Sequence, residues 1–143
     1  MIRLRGHHLL CTLTFAGRGY TRAFERNYEA VIRRLKAGTP ILIVDGPDDI
    51  CQPMLAVPDH HCHEARIVDR DRHALAEVGQ ALGREIAIGC RLDPGELLAP
   101  PLAARFADGS VRTGCLECQW KPVCDGIAAR GFRGTRLFDD GSP

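Results

Sequence analysis

Residues 21–47 read TRAFERNYEAVIRRLKAGTPILIVDGP, and their patterning decides the fold class. Phe24, Tyr28, Val31, Ile32 and Leu35 fall at i, i+4, i+7, i+8 and i+11, which is one face of an amphipathic helix. Thr21 supplies the N-cap, because its side-chain oxygen can accept an N–H left orphaned in the first turn. Gly38 ends the helix. Pro40-Ile-Leu-Ile-Val44 then reads as a short buried strand, stopped by Asp45-Gly46-Pro47. A helix running into a strand within one stretch points to a mixed domain.

The same rules extend outward from this stretch. Upstream, Gly6 to Phe15 is short and apolar and predicts a helix. Downstream, Ile67 to Leu82 predicts a helix with Val68, Leu75, Val78 and Leu82 on one face, ended by Gly83. Glu85 to Leu92 reads as a second strand. Asp93-Pro94 is an N-cap and first-turn pair. The Pro100-Pro101 pair breaks that helix, and another runs on to Phe106. Asp108-Gly109 is a turn, and a short helix is expected from Asp125 to Arg130. The expected architecture is a mostly helical α+β fold. It is a single small metal-binding domain over residues 1–138, with two cysteine-bearing loops and a frayed tail over 139–143.

Whole-chain numbers agree with one domain. The chain has 143 residues, 45% of them hydrophobic, which is enough for a packed core. Net charge is +1, which argues against a nucleic-acid surface or a polybasic membrane anchor. No apolar run approaches the ~18 residues of a spanning helix. The opening MIRLRGHHLL lacks the long apolar stretch and cleavage site of a secretory signal, so the expected location is the cytoplasm. Seven cysteines is high usage for such a chain. In a reducing compartment, clustered cysteines indicate metal or catalysis rather than disulfides.

The strongest chemical signal is GCLECQWKPVC, residues 114–124. Its spacing is C-x2-C-x5-C through Cys115, Cys118 and Cys124. Two thiolates three residues apart can grip the same metal or cluster, and a third closes the same face after a proline-bearing loop. Thiolates are soft ligands that suit iron-sulfur clusters and zinc. A bland alternative reads all three as buried reduced cysteines behaving as small apolar residues. A redox dithiol at Cys115 and Cys118 lacks the βαβ context such motifs carry.

Three ligands need a fourth. Residues 46–65 hold three prolines, several acids and histidines, and few core residues. A bound metal would explain order in so long a loop. It offers Cys51 and Cys62, flanked by His60, His61 and His63. Each histidine alone reads as a surface group or a partner of a ligand; together they raise the chance of one imidazole ligand. His7 and Cys11 stand at i and i+4 and share a helix face. They could complete the site or place a proton donor beside it, although a core role for Cys11 is the plainer reading. Cys90 reads as core.

Three segments together resemble one family: Arg5-Gly-His-His-Leu-Leu-Cys11, Val44-Asp-Gly-Pro-Asp-Asp-Ile-Cys51, and Cys115-x2-Cys118-x-Trp120. It is a family of small bacterial and archaeal proteins of unknown function regarded as iron-sulfur binders, and the resemblance implies a cluster without naming a reaction. Many members carry C-x2-C at the central position, where this chain has Cys51 and then Met54, a poor cluster ligand; Cys62 gains importance accordingly. The C-x2-C-x5-C run also resembles the first three ligands of the SPASM auxiliary-cluster motif of radical enzymes. That motif continues with a cysteine where this chain has Ala128, and the likeness favours a four-iron cluster over zinc. Asp59-His60-His61-Cys62 spells the DHHC signature of membrane acyltransferases, which need spanning helices that this sequence does not encode.

The leading expectation is therefore an iron-sulfur protein with one 4Fe-4S cluster, held by Cys115, Cys118 and Cys124 with Cys51 or Cys62. It would transfer electrons or sense oxidants with an unidentified redox or protein partner, and Trp120 would shield the cluster from water. Alternatives are a structural zinc module pinning the two loops together, and a zinc hydrolase or histidine-activated thiol enzyme. No glycine-rich phosphate loop is present.

Overall fold

The computed structural model describes residues 1–17, 21–53, 65–115, 121–132 and 134–138. The fold is α+β and mostly helical, with one small sheet. Strands β1 (Ile2–Leu4), β2 (Ile41–Ile43) and β3 (Arg91–Leu92) lie in the order β1-β2-β3, so β2 is central. β1 runs parallel to β2 with Ile2 opposite Ile41, and β2 runs antiparallel to β3 with Ile41 opposite Leu92. Successive side chains alternate faces. Ile2, Leu4, Ile41, Ile43 and Leu92 therefore turn inward, while Arg3 and Arg91 stay exposed.

Helix α1 (His8–Cys11) is a single turn, shorter than the expected Gly6–Phe15. Beyond it the chain tightens into i→i+3 bonds, with Leu13 N donating to Leu10 O at 3.1 Å and Thr14 N to Cys11 O at 3.1 Å. The hydroxyls of Thr12 and Thr14 bond back to the carbonyls of Leu9 and Cys11, competing with regular helix geometry. Helix α2 (Arg22–Lys36) matches its sequence. Thr21 Oγ1 accepts from Phe24 N at 3.0 Å, and Phe24, Tyr28, Val31, Ile32 and Leu35 are all buried. Fully burying each such aliphatic side chain contributes about 1.5–3 kcal/mol.

Helix α3 (Ala65–Leu82) follows, then α4 (Pro94–Leu98), α5 (Pro100–Asp108) and α6 (Lys121–Ala129). Asp93 caps α4 in a complete capping box with Glu96, as the Asp-Pro pair predicts. The strand expected over Glu85–Leu92 shrinks to Arg91–Leu92. Gly89, at φ +93°, ends a turn that leads into the short strand, and its N–H already donates to Ile43 O of β2 at 2.8 Å. α6 begins four residues before the expected Asp125, so Cys124 lies on a helix rather than in a loop. The expected frayed tail 139–143 lies outside the described residues. Among the described residues, no helix is long and apolar enough to cross a membrane.

The β1–α1 turn presses directly on α3. A Cβ built on Gly6 would run into the backbone carbonyl of Asp71. Gly6→Ala should therefore push α1 off α3 and cost about 1–3 kcal/mol, the usual penalty of overpacking. Urea unfolding of the two proteins checks this, and an unchanged midpoint would show that the turn has room to spare.

Candidate metal centre

A cavity of about 140 Å³ opens between α1, α2, α5 and α6. Its wall includes Cys11, Cys115 and Cys124 together with His7, His8 and Tyr28. The volume is roughly ten times what one water needs, so it suits a multi-atom group better than a single ion. The three thiols arrive from three separate elements. Cys11 comes from α1, Cys115 from a 3-10 turn over Thr113–Cys115, and Cys124 from α6. Glu77 of α3 fixes that turn by accepting Thr113 N at 3.1 Å and Thr113 Oγ1 at 2.8 Å. Cys124 Sγ lies 3.2 Å from Thr14 Oγ1, which ties α6 to the segment after α1.

Two histidine–aspartate pairs stand beside the thiols. His7 Nδ1 is 2.7 Å from Asp71 Oδ1, and His8 Nδ1 is 2.7 Å from Asp48 Oδ2. A carboxylate can only accept, so each Nδ1 carries the proton and each Nε2 is turned away from its aspartate. The two rings contact edge to face with centroids 4.4 Å apart. Burial, and then the neighbouring His8, lower the His7 pKa to about 4 against the pull of Asp71. His7 is therefore neutral at pH 7, with a lone pair on Nε2. Histidines braced in this way by a carboxylate are the form that ligates metals.

The aspartates are buried and well supplied with donors. Asp48 Oδ2 also accepts Arg5 N at 2.8 Å, while Oδ1 accepts Ile50 N at 3.0 Å and Cys51 N at 3.1 Å. Burial alone would raise the Asp48 pKa; His8 and these bonds outweigh it and hold the pKa at about 2. Asp71 accepts Arg5 Nε at 2.9 Å and His7 N at 3.1 Å. Burial opposes ionisation there too, and the His7 contacts followed by Arg5 pull the pKa below the usual range. His8, Asp48 and Cys51 offer donor atoms within 4.8 Å of one another. We read this trio as a structural knot, because Oδ1 of Asp48 closes the 48–51 turn on itself while Oδ2 ties that turn to Arg5 and to His8 of α1.

Two donor groups at the cavity wall have no hydrogen-bond partner among the described residues. One is the Tyr28 hydroxyl, and the other is the Nε and Nη2 edge of Arg112. Tyr28 is stacked on Phe15 at 3.9 Å and 5% exposed. The Arg112 guanidinium lies over the Phe106 ring at 4.1 Å, and Nη1 pairs with Asp125 at 2.9 Å.

Of the cysteines predicted from spacing, Cys115 and Cys124 line the cavity. Cys51 is buried at the end of the 48–51 turn, outside that lining. Cys62, Cys118 and Trp120 lie outside the described residues, as do His60, His61 and His63. Cys90 is partly buried against the core, in line with a packing role. Cys11, read most plainly as core, is partly buried and lines the cavity. The i, i+4 relation to His7 was the available signal, and both residues reach the cavity. Tyr28, Asp71 and Arg112 gave no sequence signal for a site, and Asp48 stands out only as part of the Val44–Cys51 segment. Tyr28 reads as core in the helix pattern, and the histidine partners of Asp48 and Asp71 lie far away in sequence.

No curated protein and no solved structure was found to match the chain. A family model described as Protein of unknown function (DUF1284) matches residues 19–124, and the chain belongs to that family.

Proposed function

We propose that this protein binds an iron-sulfur cluster of the four-iron type in the cavity and uses it for electron transfer or redox sensing. The observation that carries the reading is the convergence of Cys11, Cys115 and Cys124, from three separate elements, on one cavity of about 140 Å³. The donor set fits, since soft thiolates are the ligands such clusters take. Cys115, Cys118 and Cys124 would hold the cluster from the C-terminal side, and Cys11 would complete the set in place of Cys51 or Cys62. When bound, the cluster would accept and release single electrons. The chain's own residues supply a thiol cage, a partly apolar wall from Phe15, Phe24 and Phe106, and two carboxylate-braced histidines that orient the α1 face.

Those histidines favour a second reading, a zinc site of mixed thiolate and imidazole ligands. One measurement separates the two. Protein purified without air should be brown, with about four irons and four acid-labile sulfides per chain. Colourless protein with about one zinc would replace the cluster by the zinc site. Cys11→Ser, Cys118→Ser and Cys124→Ser should each lose most of the metal and unfold more easily, because ligand binding free energy is also folding free energy. Cys90→Ser should keep full metal content. Full retention in Cys118→Ser or Cys124→Ser would sink the ligand assignment.

A further inference from the structure

The groups without partners at the cavity are all hydrogen-bond donors. They are the Tyr28 hydroxyl and the Nε and Nη2 atoms of Arg112, each buried and without a partner among the described residues. A buried donor left unmade is costly, so a wall carrying two such groups is shaped for an acceptor-rich occupant. The charge points the same way. Arg70, Arg112 and Lys121 all reach the cavity. A thiolate-bound cluster has a negative net charge and many sulfur lone pairs, so it answers both features.

The placement of the two donors is specific. Arg112 is held from two sides, by the Phe106 face and by Asp125, so its open edge cannot swing out to water. Cys115 stands three residues further along the same segment and lines the same cavity. Tyr28 is clamped by the parallel ring of Phe15 and the edge of Phe24. Tyr28 shares the cavity wall with Cys11 and Cys124. Each donor is thus held in place on a wall that it shares with the thiols.

We infer that Arg112 and Tyr28 are positioning residues that donate hydrogen bonds to the sulfurs of the bound cluster and so raise its reduction potential. The inference rests on the cluster reading above. Donation to sulfur withdraws electron density and stabilises the reduced form. The two residues are not ligands, so they should set the potential without deciding retention.

The test uses the full chain purified without air, as wild type, Tyr28→Phe and Arg112→Gln. Three quantities are read: iron and sulfide content, midpoint potential, and the thermal midpoint of the metal-free protein. Tyr28→Phe keeps the ring stack and removes only the hydroxyl. It should retain iron and sulfide, shift the potential to a more negative value, and leave the metal-free thermal midpoint unchanged or higher. Arg112→Gln should shift the potential in the same direction. A lower metal-free midpoint in Tyr28→Phe would mean the hydroxyl serves the protein, and would overturn its role. A wild-type cluster whose potential neither substitution moves overturns the inference and leaves the cluster reading standing. A wild type without iron and sulfide overturns both.

Discussion

Asp71→Ala should destabilise the protein by about 3–5 kcal/mol, the cost of stripping the partner from a buried ion pair. Arg5 is 1% exposed, and its Nε is bonded to Asp71 at 2.9 Å. Removing the carboxylate takes from the buried guanidinium the oxygen that its Nε is bonded to. It also takes the acceptor from His7 N and His7 Nδ1, so the α1 turn loses its tie to α3. The penalty belongs to the broken pair rather than to the charges as such. Replacing both members with apolar residues of similar volume, Arg5→Met with Asp71→Leu, should recover much of the loss. Guanidinium unfolding of the three metal-free proteins checks both statements. A loss under about 1 kcal/mol in Asp71→Ala would show that water reaches Arg5 once the carboxylate is gone.

Acid should loosen the protein well above the range where carboxylates titrate. His7 has a pKa of about 4 in the fold against an ordinary 6.5. Between those values the unfolded chain binds a proton that the folded chain refuses, so stability rises with pH across that window. The full stability is present above pH 6.5 and is lost as pH falls through about 4. A shift from 6.5 to about 4 corresponds to about 3 kcal/mol. Asp48 adds a later loss with the same sign. Its pKa of about 2 in the fold lies below the ordinary 3.8, so its contribution is present above pH 3.8 and disappears as pH falls through about 2. His7→Gln retains an N–H donor but does not titrate. Its unfolding free energy should be flatter than wild type between pH 7 and pH 4. Parallel curves for the two metal-free proteins would refute a buried neutral His7.

Both predictions concern the same small region, and that region braces the candidate centre. Arg5, His7 and His8 are consecutive or nearly so in sequence, yet their partners Asp48 and Asp71 come from the 48–51 turn and from α3. The bonds fix α1 in place. Cys11 on α1 is thereby held facing the thiols of the 3-10 turn and α6.

By itself the sequence determined the elements with strong local causes. The α2 face, its Thr21 cap, the Asp93 capping box and the break at Pro100 each depend on neighbours a few residues apart, and all four are seen. It also marked Cys115 and Cys124, because ligand spacing is local chemistry, and both line the cavity. Strand β1 escaped notice because three residues are too few to show a period. The strand expected over Glu85–Leu92 is only Arg91–Leu92 because the chain turns at Ile88–Gly89, where Gly89 takes φ +93°. The rest needed the tertiary structure. Cys11 looked like core because an apolar turn is the same string whether it packs on a helix or borders a cavity. Tyr28 looked like core because periodicity reports which face is buried and says nothing about whether its hydroxyl finds a partner. The pairs His7–Asp71 and His8–Asp48 join residues 64 and 40 positions apart. Only the packing of α3 and the 48–51 turn against α1 brings them within hydrogen-bond reach, and no local pattern encodes that approach.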